Sequence, residues 1–194
     1  MRLFVFARHA QSTLNFEQRV NGDPSRPGPL TELGRAEAHL LGLQVALLPL
    51  DVAAHTRFQR ARETAELAVG NRVPLVEEPL LDDIDIGNLE GRSVAEYRAW
   101  KAEHPDRREP FPGGESLDDA ARRYARGFRA LLERDERTLL VVCHEIPIRY
   151  ALNAAAGSDR LDGPAHDIPN ATPFLVDEAA LTRAAARIDE LAAT

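Results

Sequence analysis

Cysteine is nearly absent: Cys143 is the only one among 194 residues. That excludes an intrachain disulfide and a zinc cluster built from cysteines. Cys143 ends the apolar run Leu139-Leu140-Val141-Val142. This is the setting of a buried, inert thiol, because a reactive one needs accessible, electropositive surroundings. No apolar run is long enough to span a bilayer. Met1-Arg2-Leu3-Phe4-Val5-Phe6 is too short an apolar start for a signal peptide, and no small-residue cleavage site follows, so a cytoplasmic location is the expectation. Internal repeats and low-complexity tracts are missing. So is an excess of basic charge: the formal net charge is −7, which argues against a nucleic-acid partner. A small anionic ligand stays open, since a few arginines can make one positive pocket on an acidic protein. Arg107-Arg108 and Arg122-Arg123 are interleaved with acids and read as solvated faces.

What is present is an alternation of strands and helices. Leu3 to Ala7 reads as a buried strand, Asp51 to Ala54 and Val73 to Val76 as short ones, and Thr138 to Cys143 as the best defined. Phe174 to Val176 is a last strand. Thr31 caps a helix with Leu33, Leu40, Leu41, Val45 and Leu48 on its apolar side. Further helices are expected over Arg57 to Val69, Ser93 to Glu103, from a Ser116 cap onward, over Ile146 to Ala156 and over Ala179 to Ala192. Such an order implies an α/β three-layer sandwich, a mostly parallel sheet with helices on both faces. A length of 194 residues fits one domain spanning 1–194. The irregular stretch at about 80–114 is expected to be a lid over the site.

The polar residues with chemical potential fall just after strands. Arg8-His9 follows the first, with Ser12, Thr13 and Asn15 close behind. His55-Thr56-Arg57 follows the second, with Arg60 a helical turn on, and His144-Glu145 follows the strongest. In a parallel sheet these ends share one edge, where α/β proteins place ligands. Arg8, His9, Arg60 and His144 are therefore expected to converge around one anion. Arginine grips phosphate oxygens through several donors, and imidazole can attack phosphorus.

These residues resemble the histidine phosphatase superfamily, the branch that includes cofactor-dependent phosphoglycerate mutases and small phosphatases. Arg8-His9-Ala10-Gln11-Ser12-Thr13-Leu14-Asn15 is similar to its opening motif. Leu30-Thr31-Glu32-Leu33-Gly34, Phe58-Gln59-Arg60, Leu89-Glu90-Gly91, Pro112-Gly113-Gly114-Glu115-Ser116, Val141-Val142-Cys143-His144 and Pro169-Asn170 follow in the family's order. The resemblance implies a phosphoglycerate mutase-like fold. It implies His9 as the nucleophile that becomes a phosphohistidine, with Arg8, Arg60 and His144 around the transferring group. Asn15 and the backbone near Gly22 are expected to touch substrate, and Thr172 to face the pocket. No metal and no cofactor are expected, because two arginines and a histidine supply the positive charge that phosphoryl transfer needs.

The chain departs from the family at several places. The general acid, usually a glutamate four residues before a glycine, counts back from Gly87 to Asp83. Asp82, Asp85 and Glu90 remain alternatives. Ala10 and Glu145 replace glycines. Glu145 is expected to pair with Arg149 or Arg57, and Arg57 either adds charge at the pocket rim, as a substrate-binding group, or balances Glu145. Tyr97, Trp100 and Phe111 either line an apolar wall or pack the lid. The expected activity is a metal-independent phosphomonoesterase acting on a small phosphorylated metabolite. The alternatives are a mutase primed by 2,3-bisphosphoglycerate and a non-catalytic phospho-ligand binder. No nucleic acid and no membrane are expected as partners. A homodimer is allowed, its sign being an apolar strip on a terminal helix or edge strand.

Overall fold

The computed structural model describes residues 2–192. Five strands form one sheet in the order β3-β2-β4-β1-β5, with β1 at Leu3–Arg8, β2 at Val52–His55, β3 at Leu75–Glu77, β4 at Thr138–Cys143 and β5 at Pro173–Asp177. β1, β2, β3 and β4 run parallel, and β5 pairs antiparallel with β1. Side chains alternate across a pleated strand, so each strand feeds two cores. Phe4, Phe6, Leu139, Val141 and Cys143 face one helical layer, while Val5, Ala7, Leu140 and Val142 face the other. This is why β1 and β4 read as continuous apolar runs: both faces are covered.

Helices α2 (Glu32–Gln44) and α3 (Gln59–Val69) cover one face; α5 (Leu117–Glu133), α6 (Glu145–Ala155) and α7 (Glu178–Ala192) cover the other. Thr31 and Ser116 cap α2 and α5 with their hydroxyls, and Ser93 closes a capping box on α4 (Val94–Glu103). A single turn, α1 (Thr13–Phe16), sits in the polar cluster after β1; four residues are too few to show a period. β3 begins after Pro74 rather than at Val73. Pro74 has no N–H to donate, and its carbonyl accepts from the Ala53 N–H instead.

The apolar side of α2 differs from the sequence expectation. Leu33 and Leu40 are more than half exposed, as are Leu43 and Leu47, while Gly34, Ala38, Leu41, Gly42 and Val45 face inward. A Cβ on Gly42 would lie 2.5 Å from the Ala68 carbonyl of α3. At Gly42 the two helices approach so closely that no side chain fits between them, and Leu33, Leu40 and Leu43 are turned out. Most of the exposed large apolar side chains therefore lie on and just after α2, with Leu175 exposed on the edge strand β5.

Residues 80–114 leave the sheet, pass through 3₁₀ turns at Pro79–Leu81 and Gly87–Leu89, and run through α4 before returning to α5. Phe111 is fully buried and stacks on Tyr97 at 5.6 Å and against Trp100 at 4.6 Å. Phe111 and Trp100 thus pack the excursion. Among the described residues no helix is long and apolar enough to cross a membrane.

Candidate active site

The carboxyl ends of β1, β4 and β2 lie side by side, and the residues that follow them meet. The His9 N–H donates to the Cys143 carbonyl at 2.9 Å, and the Asn170 amide donates to the His9 carbonyl at 2.6 Å. The Ala10 N–H donates to Thr64 Oγ1, which in turn donates to the Arg60 carbonyl. Beyond it, Gln11 is held by the start of α2. Its N–H reaches Glu37, its carbonyl accepts from the Thr31 N–H, and a Cβ on Gly34 would sit 2.0 Å from its carbonyl oxygen. The Leu30–Gly34 segment is in this sense the seat of the loop that carries His9.

The His9 ring has an assignable tautomer. Nδ1 lies 2.8 Å from the Ala10 carbonyl, which can only accept, so Nδ1 carries the proton. Nε2 then keeps its lone pair and accepts from Arg60 Nε at 2.9 Å. Burial, then the charges of Arg60 and Arg8, hold His9 well below the usual histidine range. A neutral imidazole with a free Nε2 is the nucleophilic form.

Arg60, itself buried, is the hub. Besides His9 it contacts Asn21, Asp83 Oδ2 at 3.0 Å and His144 Nδ1 at 3.3 Å, and its guanidinium stacks over Phe58 at 4.3 Å. Because a guanidinium only donates, His144 Nδ1 is the acceptor and Nε2–H donates to Thr56 Oγ1 at 2.8 Å. His144 lies wholly buried behind this pair, its ring 5.3 Å from that of His9. It too is held well below the usual range, by burial first and Arg60 next. Arg8 Nη1 donates to the Ile168 carbonyl at 2.8 Å and pairs with Glu145 at 3.0 Å. Its buried Nε has no hydrogen-bond partner.

Of the four candidate acids, the structure brings only Asp83 to this cluster. Oδ2 lies 3.4 Å from His144 Nδ1, and burial pushes its carboxyl up, against the pull of Arg60. Asp82 is tied to the Arg57 N–H and side chain at 2.9 and 2.6 Å. Asp85 accepts from the Gly87 N–H. Glu90 accepts from Asn21 and from the N–H groups of Gly22 and Asp23.

Other expected residues are placed as follows. Arg8, His9, Asn15, Gly22, Arg60 and Asp83 line one cavity of about 640 Å³. The Gly22 N–H is already taken by Glu90 at 2.6 Å. Arg57 lies outside this cavity. It is half-exposed, lines a neighbouring cleft and balances Asp82, not Glu145. Glu145 pairs with Arg149 at 3.3 Å, as expected, and with Arg8. Thr172 donates to the Asn170 carbonyl and does not line the cavity.

Two of the four arginines read as solvated are not. Arg107 pairs with Asp118 and Asp162 and donates to Tyr150, and Arg123 donates to backbone carbonyls of the 80–114 excursion. Asn21 lies in the turn-rich loop expected to read the leaving group and Thr64 in the helix that bears Arg60, but their contacts to Arg60 and Ala10 have no signal in the sequence. Above the polar end, Leu14, Val20, Ile84, Ile86, Val94 and Tyr97 form an apolar wall, with Arg98 and Lys101 beyond it. Among the described residues no three His, Cys, Asp or Glu side chains are grouped to hold a metal ion.

A family model described as histidine phosphatase superfamily (branch 1) matches residues 4–184, and the chain belongs to that superfamily. It is similar to 2,3-bisphosphoglycerate-dependent phosphoglycerate mutase 2 of Gloeobacter violaceus, at 37% identity over 78% of this chain and 74% of the relative. Phosphoserine phosphatase 1 of Hydrogenobacter thermophilus is 32% identical over 80% and 76%. Among solved structures, YhfR of Bacillus stearothermophilus superimposes with a TM-score of 0.77 at 26% identity, covering 91% of this chain and 92% of that one. The alpha-ribazole phosphatase of Shigella flexneri gives 0.76 at 21% identity, covering 90% of each, which speaks to the fold alone. The phosphoglycerate mutase-like architecture follows. The relatives divide between mutases and phosphatases.

Proposed function

We propose that the protein is a metal-independent phosphomonoesterase that acts through a phosphohistidine on a small phosphorylated metabolite. The observation that carries this reading is the position of Arg60, whose one guanidinium touches His9 Nε2, His144 Nδ1 and Asp83 Oδ2. A phosphoryl group entering there meets the nucleophile, the positive charge and a carboxyl at once. The unpartnered Nε of Arg8 supports it, since a buried donor without an acceptor costs free energy until an anion supplies one.

In the first step His9 Nε2 bonds to phosphorus, the bond to the ester oxygen breaks, and protonated Asp83 gives its proton to the leaving oxygen. Arg8 and Arg60 stabilise the charge on the equatorial oxygens, while His144, buried behind them, accepts from Arg60 and steadies it. In the second step Asp83, now a carboxylate, takes a proton from water as the water oxygen bonds to phosphorus. The N–P bond breaks, and inorganic phosphate leaves. An acid of this kind contributes on the order of 10²–10⁴-fold.

The test is phosphate release from p-nitrophenyl phosphate with EDTA present. Turnover that survives EDTA and vanishes in His9→Ala supports the reading; turnover in His9→Ala overturns it. The identity with a phosphoglycerate mutase favours a second reading, in which the phosphoryl group returns to a sugar acid. Interconversion of phosphoglycerates that depends on priming with 2,3-bisphosphoglycerate, without net phosphate release, decides for it.

A further inference from the structure

We propose that Arg123 is a positioning residue that holds the backbone of Asp83 at proton-transfer distance, with Glu115 as its counter-anchor; this rests on reading Asp83 as the proton donor. The Asp83 carboxylate has little of its own to fix it. Oδ1 accepts from the next N–H, that of Ile84, and Oδ2 meets Arg60 and His144, the groups it must work with. Its place is set by the irregular backbone around it. That backbone is bound from below by one side chain. Arg123, on α5 and mostly buried, donates through Nη1 to the Leu80 and Asp82 carbonyls at 3.0 and 2.9 Å. Through Nη2 it donates to the Asp83 carbonyl at 3.2 Å.

Glu115 closes the clamp. Its carboxylate pairs with the Arg123 guanidinium and accepts from the Asp85 N–H at 3.0 Å, while its own N–H donates to the Asp85 carbonyl at 3.0 Å. The two residues thus grip the segment at 80, 82, 83 and 85. Asp82 adds a third hold, through Arg57. The five-donor planar fork serves three carbonyls and the Glu115 carboxylate at once; a lysine ammonium has three donors on one nitrogen, too few for all four.

The shortness of Asp83 makes this grip consequential. Aspartate is one methylene shorter than glutamate, so the carboxyl reaches the leaving oxygen only if the backbone is held close. A displacement of about 1 Å in a reacting group can cost on the order of 10²-fold. Arg123 does not itself line the cavity of the His9 site; its hydrogen bonds reach that site through the backbone of Asp83.

The experiment compares kcat/KM on p-nitrophenyl phosphate and on phenyl phosphate. The two esters are close in shape, but the leaving phenol of the second is far more basic and needs the acid more. Asp83→Asn should lose phenyl phosphate turnover much more than p-nitrophenyl phosphate turnover. Arg123→Met should show the same selectivity, with the phenyl-to-nitrophenyl ratio falling about tenfold or more. Arg123→Lys and Glu115→Gln should fall between it and wild type, which covers the case in which the methionine variant folds poorly. Asp83→Asn/Arg123→Met should be no more selective than Asp83→Asn alone. If Arg123→Met lowers both substrates equally, or the double variant loses the full product of the two effects, the positioning role is overturned while Asp83 stands. If Asp83→Asn is itself unselective, Asp83 is not the acid, and the role of Arg123 falls with it.

Discussion

Arg60 Nε lies 2.9 Å from His9 Nε2 and donates to it, while the other ring nitrogen is held by the Ala10 carbonyl. The histidine is thereby fixed with Nδ1 protonated and Nε2 turned to Arg60, which on the proposed reading aims a neutral nucleophile at the place where its neighbour would bind a phosphoryl oxygen. To attack, Nε2 must exchange its hydrogen bond to Arg60 for phosphorus, and the freed guanidinium is then beside the transferring oxygens.

Arg60→Gln should therefore lower kcat/KM on p-nitrophenyl phosphate by about 10²–10³-fold, the usual size for one donor aimed at developing charge. The phosphoenzyme trapped at low temperature should carry phosphorus on Nε2 of His9, read by ³¹P NMR of the denatured protein. Phosphorus on Nδ1 would show that the ring had turned over and that the tautomer assignment is wrong.

The pH dependence has a definite sign. His9 must be neutral, and its pKa is lowered from 6.5, so protonation removes activity only well below that value. Asp83 must be protonated, and its pKa is raised above 3.8, so its contribution persists to higher pH than for a free carboxyl and is lost as pH rises through the raised value. The kcat/KM profile on phenyl phosphate should peak on the acid side of neutrality. On p-nitrophenyl phosphate the basic limb should be shallower, since that leaving group does not need the proton. The ionisation of the esters themselves, near pH ~6, affects both and cancels in the comparison. A basic limb unchanged by Asp83→Asn would remove Asp83 from the assignment.

The layers of the fold were legible because β1 and β4 are buried on both faces and leave uninterrupted apolar runs. The expected meeting of Arg8, His9, Arg60 and His144 followed from each lying just past a strand. What escaped were features that depend on close approach rather than pattern. The outward turn of Leu33 and Leu40 comes from Gly42 pressing on the Ala68 backbone of α3, which no periodicity records. Arg107 and Arg123 look solvated because their neighbours in sequence are charged, yet their partners lie up to 55 residues away. Spacing from Gly87 picked Asp83 but left Asp82, Asp85 and Glu90 open. The structure places Asp83 alone of the four beside Arg60 and His144, and shows what each of the others already holds.

Gly34 tests whether the second motif serves the first. An alanine Cβ there would meet the Gln11 carbonyl at 2.0 Å, and both sides of that contact are backbone. Gly34→Ala should destabilise the fold by about 1–3 kcal/mol, the range for overpacking. It should also lower kcat, because Gln11 is two residues from His9. Urea denaturation with activity measured on the folded fraction separates the two effects. A variant that keeps full stability would show that the loop moves freely and is not seated on α2.

Glu145 is the departure from the family pattern that bears most directly on ligand binding. Its carboxylate sits 3.0 Å from Arg8 Nη1 and 3.3 Å from Arg149, and is about one-third exposed. A phosphate in the cavity must share Arg8 with this fixed anion, so Glu145 competes with the ligand. Partly exposed pairs of this kind are worth at most about 1 kcal/mol, which sets the scale of the effect. Glu145→Gln removes the competing charge and keeps the shape. Inhibition by inorganic phosphate should tighten by up to about fivefold, with KM for p-nitrophenyl phosphate falling in parallel and kcat for the first turnover little changed. Added salt should shrink the difference between the two proteins, because screening weakens the pair in wild type. Weaker phosphate inhibition in Glu145→Gln would reverse this account. It would mean that Glu145 holds Arg8 in its binding position, and that the carboxylate is a support of the site and not a rival to its ligand.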